Sequence, residues 1–154
     1  MRIEKEIAKK LLKNKLHLSI AESCTGGLVS SRITDIPGSS GHFLGGITAY
    51  SNKIKTDLLD VPVKTIKKYG AVSRQTAKAM AEGVKLRTGA DISAAITGIA
   101  GPTGGSEEKP VGTAYIAVTT SSKKRTKKVF FKGDRSFVKG QFAEAVLSFI
   151  ADNV

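Results

Sequence analysis

The feature that most constrains this chain is a change of period near its start. Leu16-His17-Leu18-Ser19-Ile20-Ala21 alternates at the two-residue spacing of a strand. It passes through Glu22-Ser23-Cys24-Thr25 into Gly26-Gly27, and Leu28, Val29 and Ile33 then recur at helical spacing. A strand, a glycine turn and a helix in direct succession bury their apolar sides only by packing helix on sheet, so the fold must contain both layers.

The same alternation continues along the chain. Ile3, Ile7, Ala8, Leu11 and Leu12 predict an amphipathic helix over residues 2–14, and Pro37-Gly38 ends the helix that follows the glycine pair. Phe43 to Tyr50 reads as a strand, with Gly45-Gly46 marking a bulge or a close backbone approach. Asn52 to Leu59 predicts a short helix stopped by Pro62. Ser73 is placed to cap a helix whose apolar face is Ala77, Met80, Ala81 and Val84, with Gly89 at its C-terminal end. Ile92 to Ile96 is a short buried strand, the Gly-rich loop Gly98 to Pro110 leads to a strand at Thr113 to Thr119, and Val129 to Lys132 completes a hairpin. A last helix carries Phe137, Val138, Phe142, Ala145, Val146, Phe149 and Ile150 on one face. The expected fold is an α/β three-layer α/β/α sandwich with a mixed sheet, in one domain over residues 1–154.

Composition enters where it excludes functions. With 154 residues and 40% hydrophobic content the chain can bury one core. Its one cysteine, Cys24, rules out an internal disulfide framework and any Cys-based metal cage, and a reducing cytoplasm is the expected compartment; no metal-ligand cluster is seen, and no metal and no cofactor are expected. No apolar run approaches the ~20 residues of a membrane span, and the first residues lack the apolar core of a secretion signal. The net charge of +12 raises nucleic acid as a partner. The densest run, Lys123-Lys124-Arg125-Thr126-Lys127-Lys128, has no interleaved aromatic, no zinc ligands and no recognition helix, and reads as a solvated hairpin turn. Nucleic acid is therefore not the expected partner. The phenylalanines of the last helix suggest a homo-oligomer.

Four segments can carry chemistry. The turn Ser23 to Gly27 offers hydroxyls and a helix start open to an anion, or simple capping of that helix. Pro37-Gly38-Ser39-Ser40-Gly41 puts two hydroxyls on a tight turn, which backbone geometry alone explains. Tyr50-Ser51-Asn52-Lys53-Ile54-Lys55 passes from strand end to helix, with Lys55 about one turn in. Thr97-Gly98-Ile99-Ala100-Gly101-Pro102 runs from a strand directly into glycines, the kind of edge at which open α/β sheets place ligands.

Taken in order, Ala21-Glu22-Ser23-Cys24-Thr25-Gly26-Gly27, Gly38-Ser39-Ser40, Tyr50-Ser51-Asn52 with Lys55, Gly70-Ala71-Val72-Ser73, and Thr97 to Pro102 with Gly104 to Gly112 resemble the C-terminal domain of the competence-damage protein CinA. The resemblance spans residues 5 to 150. It implies a nicotinamide-nucleotide amidase, which hydrolyses the carboxamide of nicotinamide mononucleotide to nicotinic acid mononucleotide and ammonia. Longer members of the family carry a further N-terminal domain related to molybdopterin-binding proteins, for which a chain of this length is expected to have no room.

Amide hydrolysis requires a nucleophile, a base and donors for the oxyanion. His17 and His42 are poorly placed for a serine–histidine triad, which leaves a hydroxyl nucleophile and a lysine base. The resemblance implies Lys55 as the base and puts both Ser40 and Ser23 at motif positions, with Ser40 the favoured nucleophile and Ser23 its rival. Tyr50 would relay a proton or hold the lysine. Arg135 matches a family position suited to phosphate. Backbone groups around Thr25, Gly26 and Gly27, or near Gly98 and Gly101, would serve phosphate or oxyanion, with Thr97 as a hydroxyl contact and Glu22 orienting Lys55 or facing the pyridinium. Cys24 reads as buried filling.

Overall fold

The computed structural model describes residues 1–154. Helix α1 (Ile3–Asn14) leads to β1 (Leu18–Glu22), α2 (Leu28–Thr34), a 3-10 turn (Ser39–Gly41) and β2 (Phe43–Thr48). After these come α3 (Asn52–Leu59), α4 (Val63–Tyr69), α5 (Arg74–Thr88), β3 (Ile92–Gly98), β4 (Thr113–Thr119), β5 (Lys124–Phe130) and α6 (Arg135–Asn153). The strands form one sheet in the order β2-β1-β3-β4-β5. β1 pairs in parallel with β2 and β3, and β4 is antiparallel to both β3 and β5. This is the expected mixed-sheet sandwich.

Alternation along the central strands divides the core in two. Leu18, Ile20, Ala94, Ile96, Ile116 and Val118 face α1, α2 and α6, where Ile7, Leu11, Val29, Ile33, Phe142, Val146 and Ile150 complete the larger core. Ala21, Ala95 and Ala117 face α5, meeting Ala77, Met80, Ala81 and Val84. The residues on that second face are small, and the hydroxyls of Ser19 and Ser93 donate to the Val84 and Ala81 carbonyls of α5 at 3.5 and 2.6 Å. Short side chains let the helix sit close to the sheet, and a buried hydroxyl needs such a partner.

The expected glycine irregularity in β2 takes both forms. The register with β1 slips between Leu18 and Ser19, leaving Leu44 as the bulged residue, and Gly45 has φ 152°. At Gly46 a side chain would press on Ser30 Oγ and the Ile20 carbonyl, so β2 needs the glycine to lie against α2.

Two expectations about the fold are corrected. The basic run 123–128 is not a turn: the turn is Thr120–Lys123, with Thr120 N–H donating to Lys123 O at 2.8 Å, and residues 124–130 form β5 in register from Thr119↔Lys124 to Thr113↔Phe130. β5 is an edge strand, where lysines on both faces discourage pairing with another chain and mask the apolar alternation that would have revealed it. Helix α4 was also not foreseen. Pro62 does not merely stop α3; it stands at the N-cap of α4.

His42 sits just before β2 and is 1% exposed, with Nδ1 lacking any hydrogen-bond partner. Burial, and then the charge of His17, pushes its pKa below the ordinary 6.5. The neutral ring is the form the fold holds, so its contribution to stability is present above pH ~6.5 and is lost as pH falls from there through the lowered folded-state pKa. The drop in denaturation midpoint between pH 7 and pH 5 is expected to shrink in His42→Leu, and an unchanged drop would show that other groups set the acid sensitivity.

Candidate active site

β1 lies between β2 and β3, and the chain leaves its C-terminal end for one neighbour and returns for the other, which makes the β1/β3 boundary the switch point of the parallel part of the sheet. A cleft of about 320 Å³ opens there. Its walls come from the ends of the three parallel strands and the residues just beyond them: Ser23 and Cys24 after β1, Tyr50 and Lys55 after β2, Thr97 and Gly98 at the end of β3.

Lys55 is placed by α3. The Ser51 hydroxyl accepts from Ile54 N–H at 3.2 Å and caps the helix, and one turn on Lys55 points inward, 2% exposed. Its ammonium donates to the Tyr50 carbonyl at 3.1 Å. Burial pulls its pKa below the ordinary 10.5. A thiolate at Cys24 would oppose that shift, but burial pushes the Cys24 thiol up to about 12, so near neutral pH the thiol carries no charge and desolvation is unopposed.

Ser23 is 6% exposed and is held by its N–H, which donates to Ile96 O of β3 at 3.1 Å. The turn then closes with Gly26 N–H donating to Ser23 O, and Gly26 and Gly27 take left-handed φ of 62° and 104°, which glycine adopts without strain. In this turn the N–H groups of Cys24 and Thr25 bond to no backbone carbonyl.

Several expected site residues do something else. The Glu22 carboxylate accepts from Thr25 Oγ1 at 2.6 Å, Val29 N–H at 2.9 Å and Ser30 N–H at 3.0 Å. It therefore caps α2 from inside the fold, and neither orients Lys55 nor faces the cleft. The Thr25 side chain, in a residue 1% exposed, is the third donor of that cap, so its hydroxyl is committed to Glu22 and only its backbone N–H stays free in the turn. The helix start expected to receive an anion is filled by the chain's own carboxylate. Gly26 and Gly27 lie outside the cleft lining and make the turn possible.

Ser40 is also displaced from its expected place. It is exposed in the 3-10 turn that precedes β2, whereas Lys55 lies beyond the other end of that strand. A six-residue strand rises roughly 20 Å, so within one chain Ser40 stands at the opposite end of the sheet from Lys55. Ser23 and Lys55 line the same cleft.

The remaining candidates gather at the cleft. Thr97 Oγ1 donates to Ala71 O at 2.7 Å, tying the end of β3 to the segment before α5. Arg135, the first residue of α6, donates from Nη1 to Gly101 O at 2.6 Å and from Nη2 to the Tyr50 hydroxyl at 3.3 Å. Gly98, Gly101, Thr103 and Gly104 of the Gly-rich loop line one side, and Lys109 anchors that loop by donating to Tyr69 O at 2.8 Å. Asn52 also lines the cleft. The position of Asn52 at the start of α3 was visible in Tyr50-Ser51-Asn52, but nothing in the residue type distinguished it from an ordinary first-turn residue.

A buried lysine with a lowered pKa, a serine and a tight glycine turn thus meet in one cleft at the switch point of an α/β/α domain. The chain belongs to the CinA C-terminal domain family, whose model matches residues 1–154. It is 48% identical over 144 residues to a CinA-like protein of Desulfotalea psychrophila, covering 94% of this chain and 35% of that protein. With a CinA-like protein of Geotalea uraniireducens it shares 57% over 122 residues, 79% of this chain and 29% of the relative. The chain thus spans about a third of the length of these curated relatives. Among solved structures, the competence/damage inducible protein CihA of Agrobacterium tumefaciens superposes with a TM-score of 0.89 at 36% identity, covering 97% and 94% of the two chains. The competence damage-inducible protein A of Klebsiella pneumoniae does so with 0.94 at 29% identity, covering 97% and 93%.

Proposed function

We propose that this domain is a nicotinamide-nucleotide amidase that works with Ser23 as nucleophile and Lys55 as base. The observation that carries the reading is the buried Lys55, its pKa lowered by desolvation, in one cleft with Ser23. An ammonium left in such a place has a cost, and a proton acceptor near neutral pH is the chemistry for which that cost has a use.

In the first half-reaction the neutral Lys55 amine takes the Ser23 hydroxyl proton as Oγ forms a bond to the carboxamide carbon. The carbonyl oxygen becomes an oxyanion, for which the N–H groups of Cys24 and Thr25 are the available donors. Collapse of the tetrahedral intermediate breaks the C–N bond, and Lys55 passes its proton to the leaving nitrogen, which departs as ammonia. Water then attacks the acyl-serine, with Lys55 again taking the proton and returning it to Ser23 Oγ, and the carboxylate product leaves. Tyr50, held by Arg135 at the open side of the cleft, is 63% exposed and offers its ring and hydroxyl to the nucleotide.

The test is ammonia release from nicotinamide mononucleotide by the purified chain, with the product identified as nicotinic acid mononucleotide. Tight binding of the mononucleotide without ammonia would reduce the domain to a nucleotide-binding module and end the amidase reading.

A further inference from the structure

The two cations at the start of α6, Arg135 in the cleft lining and Lys139 in the adjoining recess, are not equivalent. Arg135 has both terminal nitrogens engaged, one on the Gly101 carbonyl and one on the Tyr50 hydroxyl, so its guanidinium holds the Gly-rich loop and the tyrosine in place. Lys139 lies one turn further along α6. It forms no ion pair with any carboxylate of the chain. Its ammonium stands against the Ser23–Gly27 turn, 3.8 Å from where a Cβ on Gly26 would be. A shallow recess lined by Leu28, Arg135, Ser136 and Lys139 adjoins the catalytic cleft through Arg135, which lines both.

The geometry points to Lys139 as the anchor of the substrate's 5′-phosphate monoester, with Ser136 beside it, and to Arg135 as a positioning residue that fixes Tyr50 and the loop. The inference rests on the amidase reading. Charge complementarity supports it: the partly buried Lys139 lines a recess for which the chain supplies no anion, and the two carboxylates nearest in sequence are engaged elsewhere, Asp134 with Phe137 N–H at 2.9 Å and Glu144 with Arg32 at 2.7 Å. A lysine binds phosphate as a point charge and does not need the planar fork that Arg135 has already committed elsewhere. The consequence is specificity, because Lys139 distinguishes the mononucleotide from the riboside, which presents the same carboxamide without the phosphate.

Steady-state assays of Lys139→Met and Lys139→Arg with both substrates test this. In Lys139→Met, KM for the mononucleotide is expected to rise about 10–100-fold with kcat retained, the loss of one charge-assisted hydrogen bond. The riboside should lose far less, so the preference for the mononucleotide collapses, and Lys139→Arg should restore most of it. An unchanged KM in Lys139→Met, or a fall in kcat with KM preserved, overturns the assignment while leaving the amidase reading intact. Wild-type protein that releases no ammonia from the mononucleotide overturns the amidase reading instead. Titration with inorganic phosphate then still reads the anion site: binding at least tenfold weaker in Lys139→Met supports it, and equal binding removes it. If Lys139→Met fails to fold, Lys139→Gln serves in the same assays.

Discussion

Ser23→Ala is expected to lower ammonia release from nicotinamide mononucleotide by roughly 10⁶-fold, the order of loss seen when a nucleophile is deleted from a catalytic unit. Ser40→Ala is expected to stay within about twofold of wild type, since an exposed turn hydroxyl contributes little to stability and stands at the far end of the sheet from Lys55. Ser23 is held in its turn by backbone bonds, Ser23 N–H to Ile96 O and Gly26 N–H to Ser23 O, so removing its Oγ leaves the fold in place. Circular dichroism and melting curves close to wild type would show this. The opposite pattern, an inactive Ser40→Ala beside an active Ser23→Ala, would move the chemistry away from the cleft of a single chain and refute the Ser23 assignment.

Lys55→Met should abolish turnover and make the protein more stable, a combination that a merely structural lysine would not give. Lys55 is 2% exposed and has one hydrogen bond, to Tyr50 O. A buried ammonium with a single partner has lost most of its hydration, and replacing such a group by an apolar chain of similar length gains about 1–3 kcal/mol. For a chain of this size each kcal/mol is a rise of roughly 2–4 °C in Tm. The pH dependence has a definite sign. Because the folded-state pKa of Lys55 is depressed, its contribution to stability is full only above the unfolded value near 10.5 and is lost as pH falls through the folded-state pKa. The gain in Lys55→Met should therefore be present at neutral pH and disappear toward pH ~10.5. In the wild type, kcat/KM should rise with pH through a single ionisation below 10.5, the deprotonation of the same amine. A Lys55→Met protein that melts at or below the wild-type temperature would mean that the amine is well solvated or well paired, and the case for a lysine base would lose its physical support.

Much of the fold was legible because one-dimensional periods report burial directly. The strand at Leu16 to Ala21, the cap at Ser73 and the left-handed Gly89 all appear in the structure close to where local physics puts them, although β1 is buried on both faces. The misses have equally local causes. In β5 the positions that would show alternation are occupied by Lys124, Arg125, Lys127 and Lys128, so the edge strand reads as charge. In α4 only Val63, Ile66 and Tyr69 carry the period, too short a stretch to separate from a loop.

What the sequence determined by itself was the layer architecture, the family and the cast of reactive groups, since these depend on residue type and spacing along the chain. Which groups meet was decided only by the tertiary structure. The sequence favours Ser40 over Ser23, both hydroxyls on glycine turns, but the parallel pairing of β1 with β2 sends the residue after one strand and the residue before the other to opposite ends of the sheet. Glu22 looks like a site carboxylate until the turn at Gly26-Gly27 folds α2 back so that its first amides reach it. Lys55 and Lys64 are both helix lysines one turn or less from their caps, and only the packing of α3 against the sheet ends buries the first and leaves the second exposed. Desolvation is a property of what surrounds a group in three dimensions, so the feature that turns a lysine into a base has no signature in its neighbours along the chain.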